Sequence, residues 1–228
     1  MLIGAVGKRE KPTSQVNRER ITIMKMIMLN GSPHKEGTTF RALKEVATTL
    51  EAEGIECEII QVGHLGTRGC MGCYACMKLG KCVIDDEVNV IAKKFEESDG
   101  LIIGSPVYYA APAGGLIAFL DRLFYVARFD KRAKVGASVV CARRGGCTAT
   151  FDVLNKYFTI SGMPVVSSTY WNQVHGASGD DAELDKEGMQ CMRNLGRNAA
   201  FLMKSISLGR AEFGLPEVER GARTNFIR

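Results

Sequence analysis

The 228-residue chain lacks the motifs by which common nucleotide sites are identified. There is no G-x-x-x-x-G-K-[ST], which argues against a nucleoside-triphosphate P-loop. There is no G-x-G-x-x-G, and the second expected strand ends Ile59-Ile60-Gln61-Val62 without the acidic residue that would hold a dinucleotide ribose. The three histidines (His34, His64, His175) stand apart, and no Ser/His/Asp or paired-carboxylate constellation is visible. That absence fits chemistry carried by a bound cofactor, which the protein only has to position. Lys and Arg exceed Asp and Glu for a net charge of +5, yet no long basic block gathers them. Nucleic-acid binding therefore has no support.

Membrane insertion finds no support either. The N-terminus places a few apolar residues before its charges, the reverse order of a secretory signal. Leu101 to Leu120 is uncharged and about long enough to span a bilayer. Gly104, Pro106, Pro112, Gly114 and Gly115 interrupt it, so it reads as strand, loop and helix start. A soluble, cytoplasmic protein is expected. Its hydrophobic content of 46% and charged content of 24% are those of a globular chain that buries a full core.

What is present centres on Met26 to Thr39, MIMLNGSPHKEGTT. An apolar run, Met26 to Leu29, ends in the turn signal Asn30-Gly31-Ser32-Pro33, and Gly37, Thr38 and Thr39 open a helix. Strand, hydroxyl-rich loop and helix start make a phosphate cradle: backbone N–H groups face the anion and the helix dipole favours negative charge. Ser32, Pro33, Gly37, Thr38 and Thr39 are the candidate ligands. For His34 two readings stand, a ligand contact or a solvated loop side chain.

Along the chain, apolar and alternating runs place strands at Met26 to Leu29, Ile55 to Val62, Leu101 to Gly104, Lys134 to Cys141 and Pro164 to Tyr170. Ile55 to Val62, with Glu56 and Glu58 interleaved, suits a sheet edge. Helices are predicted at Phe40 to Glu53, Val88 to Ser98, Gly115 to Arg128 and Thr148 to Ser161. A long helix from Asp180 to Ser207 closes the fold, bent at Gly188 or Gly196. Asp85-Asp86 reads as a helix N-cap. Five strands alternating with helices imply an α/β doubly wound parallel sheet with helices on both faces. Residues 1–24 form an extension, 25–208 the domain with an insertion at 69–86, and 209–228 an irregular tail.

In such a sheet the ligand sits beyond the carboxyl ends of the strands, where strand order reverses. That brings two more loops to the phosphate cradle. Ser105 to Pro112 offers Pro106 and Val107 as a rigid turn and Tyr108 or Tyr109 as an aromatic wall. Ala142 to Thr148 offers Gly145 and Gly146, whose backbone can approach a flat ring, with Arg143 and Arg144 beside them. Those arginines would meet an incoming phosphate or stand in solvent.

The GSP-x-x-x-x-T-T run, with Ser105-Pro106-Val107-Tyr108-Tyr109 and Phe119-Leu120-Asp121-Arg122, resembles the NADPH-dependent FMN reductase family of flavodoxin-like proteins. Ile117 or Ala118 stands where many relatives carry Lys. The resemblance covers residues 25 to about 207. It implies a flavodoxin-like fold, FMN on the three loops, NAD(P)H as electron donor and a quinone, flavin or ferredoxin-like partner.

One insertion is unusual. Cys70, Cys73, Cys76 and Cys82, half of the eight cysteines, are spaced C-x2-C-x2-C-x5-C. Such crowding in an apparently cytosolic chain points to metal or redox chemistry rather than disulfides. Three cysteines at this spacing with a fourth nearby can wrap one cubane; zinc would more often use two separated pairs. The pattern is similar to that of the iron–sulfur flavoproteins, a branch of the same family, which implies a [4Fe–4S] cluster beside FMN and a homodimer or homotetramer. Four thiols packed in a loop is the other reading. The alternative from a different class is a non-catalytic flavin electron carrier or redox-sensing flavoprotein without a cluster; the basic pI of about 8.8 weakens the carrier reading, since flavodoxins proper are strongly acidic.

Overall fold

The computed structural model describes residues 23–222, 224 and 226. The expected N-terminal extension, apart from residues 23 and 24, lies outside the described residues. Among the described residues six strands form: β1 (Lys25–Asn30), β2 (Glu56–Gln61), β3 (Gly100–Tyr108), β4 (Ala111–Pro112), β5 (Val135–Ala142) and β6 (Gln173–His175). Their order is β2-β1-β3-β5-β6, all parallel, with β4 folded back antiparallel on β3. β1 and β3 are central, and their inner stretches Met26 to Leu29 and Leu101 to Gly104 are apolar and buried, as both-faced burial requires. β2 is half-buried at one margin, as its alternation predicted.

The helices are α1 (Thr38–Ala52), α2 (Cys76–Leu79), α3 (Glu87–Glu97), α4 (Gly114–Val126), α5 (Cys147–Ile160), α6 (Gly179–Leu184) and α7 (Lys186–Phe213). Ala42, Leu43, Val46, Ala47 and Leu50 recur at helical spacing and carry α1 onto one face of the sheet, with Leu195 and Met203 of α7 beside them. Val88, Ile91 and Phe95 of α3, Leu116, Phe119, Leu120 and Leu123 of α4, and Leu154 and Phe158 of α5 fill the other face. Each fully buried side chain of this size contributes roughly 1.5–3 kcal/mol. Among the described residues, no helix is long and apolar enough to cross a membrane.

Three expectations need correction. The sheet has six strands rather than five, because Val107 and Tyr108 pair with Ala111 and Pro112 in a hairpin. The last parallel strand is Gln173–His175 rather than Pro164 to Tyr170. In the latter stretch only Val165 bridges to the sheet, at Gly136. Beyond it, Ser168 Oγ donates to the Tyr170 carbonyl (2.7 Å), and Asn198 Nδ2 holds the Ser167 carbonyl (2.8 Å), so side chains take the backbone out of the ladder. The closing helix is two helices. Asp185 interrupts it, accepting from Gly188 N (2.9 Å) to cap α7 and from His175 N (2.7 Å) to fix β6. α7 then runs through Gly188 and Gly196 to Phe213, shortening the irregular tail.

Candidate functional site

The loops after β1, β3, β5 and β6 meet in one cleft of about 800 Å³ at the carboxyl ends of the strands, a volume suited to a nucleotide-sized ligand. Its floor is the turn after β1. Asn30 Nδ2 donates to Gln61 Oε1 (2.5 Å), and Gln61 Nε2 donates to the Ser32 carbonyl (2.5 Å). Ser32 N in turn donates to Asn30 Oδ1 (3.1 Å). This closed web of side-chain amides satisfies a turn that is otherwise buried. Gly63 lets the neighbouring loop lie against it: a Cβ there would stand 2.2 Å from the Ser32 carbonyl oxygen.

Gly37 caps α1 with no side-chain hydrogen bond, and no acidic residue occupies the first turn. The first N–H groups of the helix are therefore left for an anion. Thr39 is buried beside them. Thr38 Oγ1 lies 3.2 Å from the Gly176 carbonyl and 2.9 Å from that of Ser178, tying the cradle to the loop after β6.

The second wall is the β3–β4 hairpin. Pro106, Val107 and Tyr108 line the cleft. Ser105 Oγ braces the hairpin, accepting from Ala113 N (3.1 Å) and donating to the Pro106 carbonyl (2.8 Å). The two-residue turn, Tyr109-Ala110, has φ of 51° and 59°, a conformation that normally selects Asn-Gly. Tyr109 is fully exposed at its tip. From the third loop Arg143 lines the cleft along with the buried Cys141 and Ala142. Burial pushes the Cys141 thiol up to about 12, so it stays protonated near neutral pH.

Of the candidate residues, Ser32, Pro33, His34, Gly37, Thr38, Thr39, Pro106, Val107, Tyr108 and Arg143 are brought together around the cleft. Tyr109, Gly145 and Gly146 do not line it. Gly146 supports the wall from behind: its φ is 95°, and a Cβ would stand 2.7 Å from Val107 Cγ1 and 2.9 Å from Ala110 Cα. The sequence reading missed Gly176, Ala177, Ser178 and Gly179, which line the cleft beside the start of α1. Their signal was present in the small-residue run GASG followed by Asp180-Asp181, where Ser178 and Asp181 form a capping box for α6.

A second cavity, sharing no lining residue with the first, holds Cys70, Cys73, Cys76 and Cys82 together. All four thiols are free. Met71, Tyr74, Val83, Ile84, Tyr125 and Val126 make most of the remaining wall apolar. Asn89 of α3 clamps the fourth cysteine, accepting from Cys82 N (2.8 Å) and donating to the Cys82 carbonyl (3.1 Å). Asp86 caps α3 through Val88 N (3.2 Å). Its carboxylate also takes a two-pronged pair from Arg122 of α4, Nη1 at 2.6 Å and Nη2 at 2.8 Å. That pair holds the Asp86 carboxyl below the usual range. Arg122 is 2% exposed. It also donates to the Arg68 carbonyl (3.3 Å), the Ile84 carbonyl (3.2 Å) and Cys82 Sγ (3.3 Å), while its buried Nε has no partner among the described residues. Among the described residues, no three Cys, His, Asp or Glu side chains gather as they would around a single metal ion.

A doubly wound parallel sheet with a cleft at the point where strand order reverses is the flavodoxin-like architecture. Several solved structures share this fold. RosB with a bound flavin-phosphate intermediate superposes with a TM-score of 0.65 at 16% identity, covering 90% of this chain and 92% of that one. The NAD(P)H:quinone oxidoreductase of Methanothermobacter marburgensis superposes with a TM-score of 0.60 at 14% identity, covering 77% and 96%. An archaeal flavodoxin gives 0.54 at 14% identity, covering 81% and 99%.

Sequence comparison is more specific. The family model for NADPH-dependent FMN reductase matches residues 24–177. An iron–sulfur flavoprotein of Methanocaldococcus jannaschii is 36% identical over 191 residues, 80% of this chain and 99% of that protein. An iron–sulfur flavoprotein of Methanosarcina thermophila is 29% identical over 191 residues, covering 82% and 99%. The chain belongs to the NADPH-dependent FMN reductase and iron–sulfur flavoprotein family, a family of flavin-dependent oxidoreductases.

Proposed function

We propose that this chain is an FMN-dependent oxidoreductase that passes electrons from NAD(P)H or a reduced carrier to an acceptor, using a [4Fe–4S] cluster on its cysteine loop. The observation that carries the flavin assignment is the uncapped, acid-free start of α1 opening into the cleft. The N–H groups of the first helical turn would hold the FMN phosphate, with Ser32 and Thr39 at its sides. Pro106, Val107 and Tyr108 would wall the ring, and Arg143 would offer positive charge at the rim. Bound FMN supplies the redox chemistry, which explains why the cleft needs no acid–base pair. Ser105 and the amide web beneath Ser32 keep walls and cradle in register.

The cysteine cavity fits a cluster on its donor chemistry. Four thiols around one apolar wall match the soft ligand set that iron–sulfur clusters require. The unpartnered Nε of Arg122 is a buried donor in need of an acceptor, and cluster sulfur would supply one. Cys70, Cys73, Cys76 and Cys82 would be the ligands, supplying one-electron steps beside the flavin in a homo-oligomer.

The test is an ultraviolet–visible spectrum of anaerobically purified protein with iron and sulfide assays. Flavin bands, a dithionite-bleached shoulder and about four irons per chain are expected. Flavin without iron, after reconstitution with iron and sulfide, would overturn the cluster assignment. No flavin after reconstitution with FMN would overturn the whole reading. Rapid NAD(P)H oxidation with a quinone acceptor separates the enzyme from a non-catalytic carrier.

A further inference from the structure

We propose that Arg122 tunes the cluster, acting as a positioning and charge-compensating residue that raises its reduction potential. The inference rests on the cluster reading above and goes beyond it, from which residues hold iron to which residue sets its electrochemistry.

Among the described residues, the cavity is lined by four thiols, mostly apolar side chains and one ionised group, Arg122. A guanidinium with 2% exposure is seldom left without a specific task. Four of its contacts fix it in place: two with the Asp86 carboxylate and one each with the Arg68 and Ile84 carbonyls. The fifth is directed at a ligand atom, Nη2 donating to Cys82 Sγ at 3.3 Å. Nε is buried and has no acceptor among the described residues.

Four thiolates and a cubane in its oxidised resting form carry net negative charge, and reduction adds one more. Donors and positive charge held at the sulfurs favour the more negative state, which moves the potential upward. Asp86 offsets much of the formal charge of Arg122. What remains is a dipole with its positive end fixed toward sulfur, and the two-pronged geometry of the pair is what fixes it.

The test is a spectroscopic redox titration of holoprotein under anaerobic conditions, comparing wild type with R122M and R122K. The cluster midpoint is expected to fall in R122M, and to lie between the two in R122K, which keeps a charge but loses the fork. The flavin midpoint is expected to stay where it is, because the two cavities share no lining residue. A role confined to holding the fold would lower thermal stability and leave the cluster midpoint unmoved. A folded, iron-loaded R122M that titrates with wild type overturns the proposal. Should R122M fail to fold, R122K carries the test alone, and a midpoint equal to wild type overturns it. Wild-type protein that holds no iron after reconstitution overturns the cluster reading, a distinct outcome.

Discussion

Gln61 shows how one residue can be read in two ways. From the sequence its informative property is negative: it stands where a dinucleotide protein would carry an acid. In the structure it is half of the amide web that carries the turn after β1, bonded to Asn30 on one side and the Ser32 carbonyl on the other. No motif advertises that role, because it depends on two strands lying side by side in register, Asn30 opposite Gln61. Removing the amide in Gln61→Leu leaves two polar groups without partners, which costs roughly 1–3 kcal/mol. FMN affinity is expected to fall by about one to two decades, measured by quenching of flavin fluorescence. Riboflavin, which lacks the phosphate, should be affected far less. Equal losses for both ligands would show that the web supports the whole cleft rather than the phosphate end.

At the scale of elements, the strands and helices that pack in the core were legible because their burial leaves a period. β1, β3 and β5 read as apolar runs, and α1, α3 and α4 as helical stripes, each within a few residues of its observed bounds. The segments that were misread depend on side-chain hydrogen bonds instead. Ser167 to Thr169 have the β-branched and small residues of a strand, yet Asn198 of α7 takes the Ser167 carbonyl and Asn194 the Thr169 hydroxyl. The loop after β6 was overlooked for the same reason, since misplacing the strand hid the loop that follows it. The Cys70–Cys82 segment was legible from spacing alone, but its buried partner Arg122 lies 40 residues beyond Cys82. The break between α6 and α7 belongs to this scale. Asp185 caps α7 while holding His175, so Asp185→Ala is expected to lower unfolding free energy by about 1–2 kcal/mol. Chemical denaturation measures the loss. An unchanged stability would mean that helix packing alone positions β6.

For the whole molecule, acid tolerance follows from where the carboxylates sit. Arg132 contacts Asp130 through Nε and Nη2, at 3.0 and 2.6 Å, and also donates to the Pro216 carbonyl (2.6 Å), fastening the segment after α7 to the loop before β5. That pairing holds the Asp130 carboxyl near about 2, against roughly 3.9 in an unfolded chain. A depressed folded pKa means the stabilisation is fully present above the unfolded value. It is lost as pH falls from about 4 towards about 2. The stability difference between wild type and Asp130→Asn is therefore expected to shrink across that window. A difference that stays constant from neutral pH to pH 2 would show that the pair contributes nothing through ionisation. The pair is largely exposed, so the effect is small and salt-sensitive.

The sheet margin at β2 has a consequence for life in a crowded solution. Among the described residues no strand pairs with its outer side, and such an edge offers a ladder to any passing strand, the usual seed of self-association. Glu56 and Glu58 both sit within its six residues, and each is partly neutralised, by Lys25 and Lys94 respectively. A second copy approaching edge to edge would have to bring the same carboxylates together and strip those partners away. The alternation that makes β2 recognisable as an outer strand thus also guards that edge against fibre-like stacking.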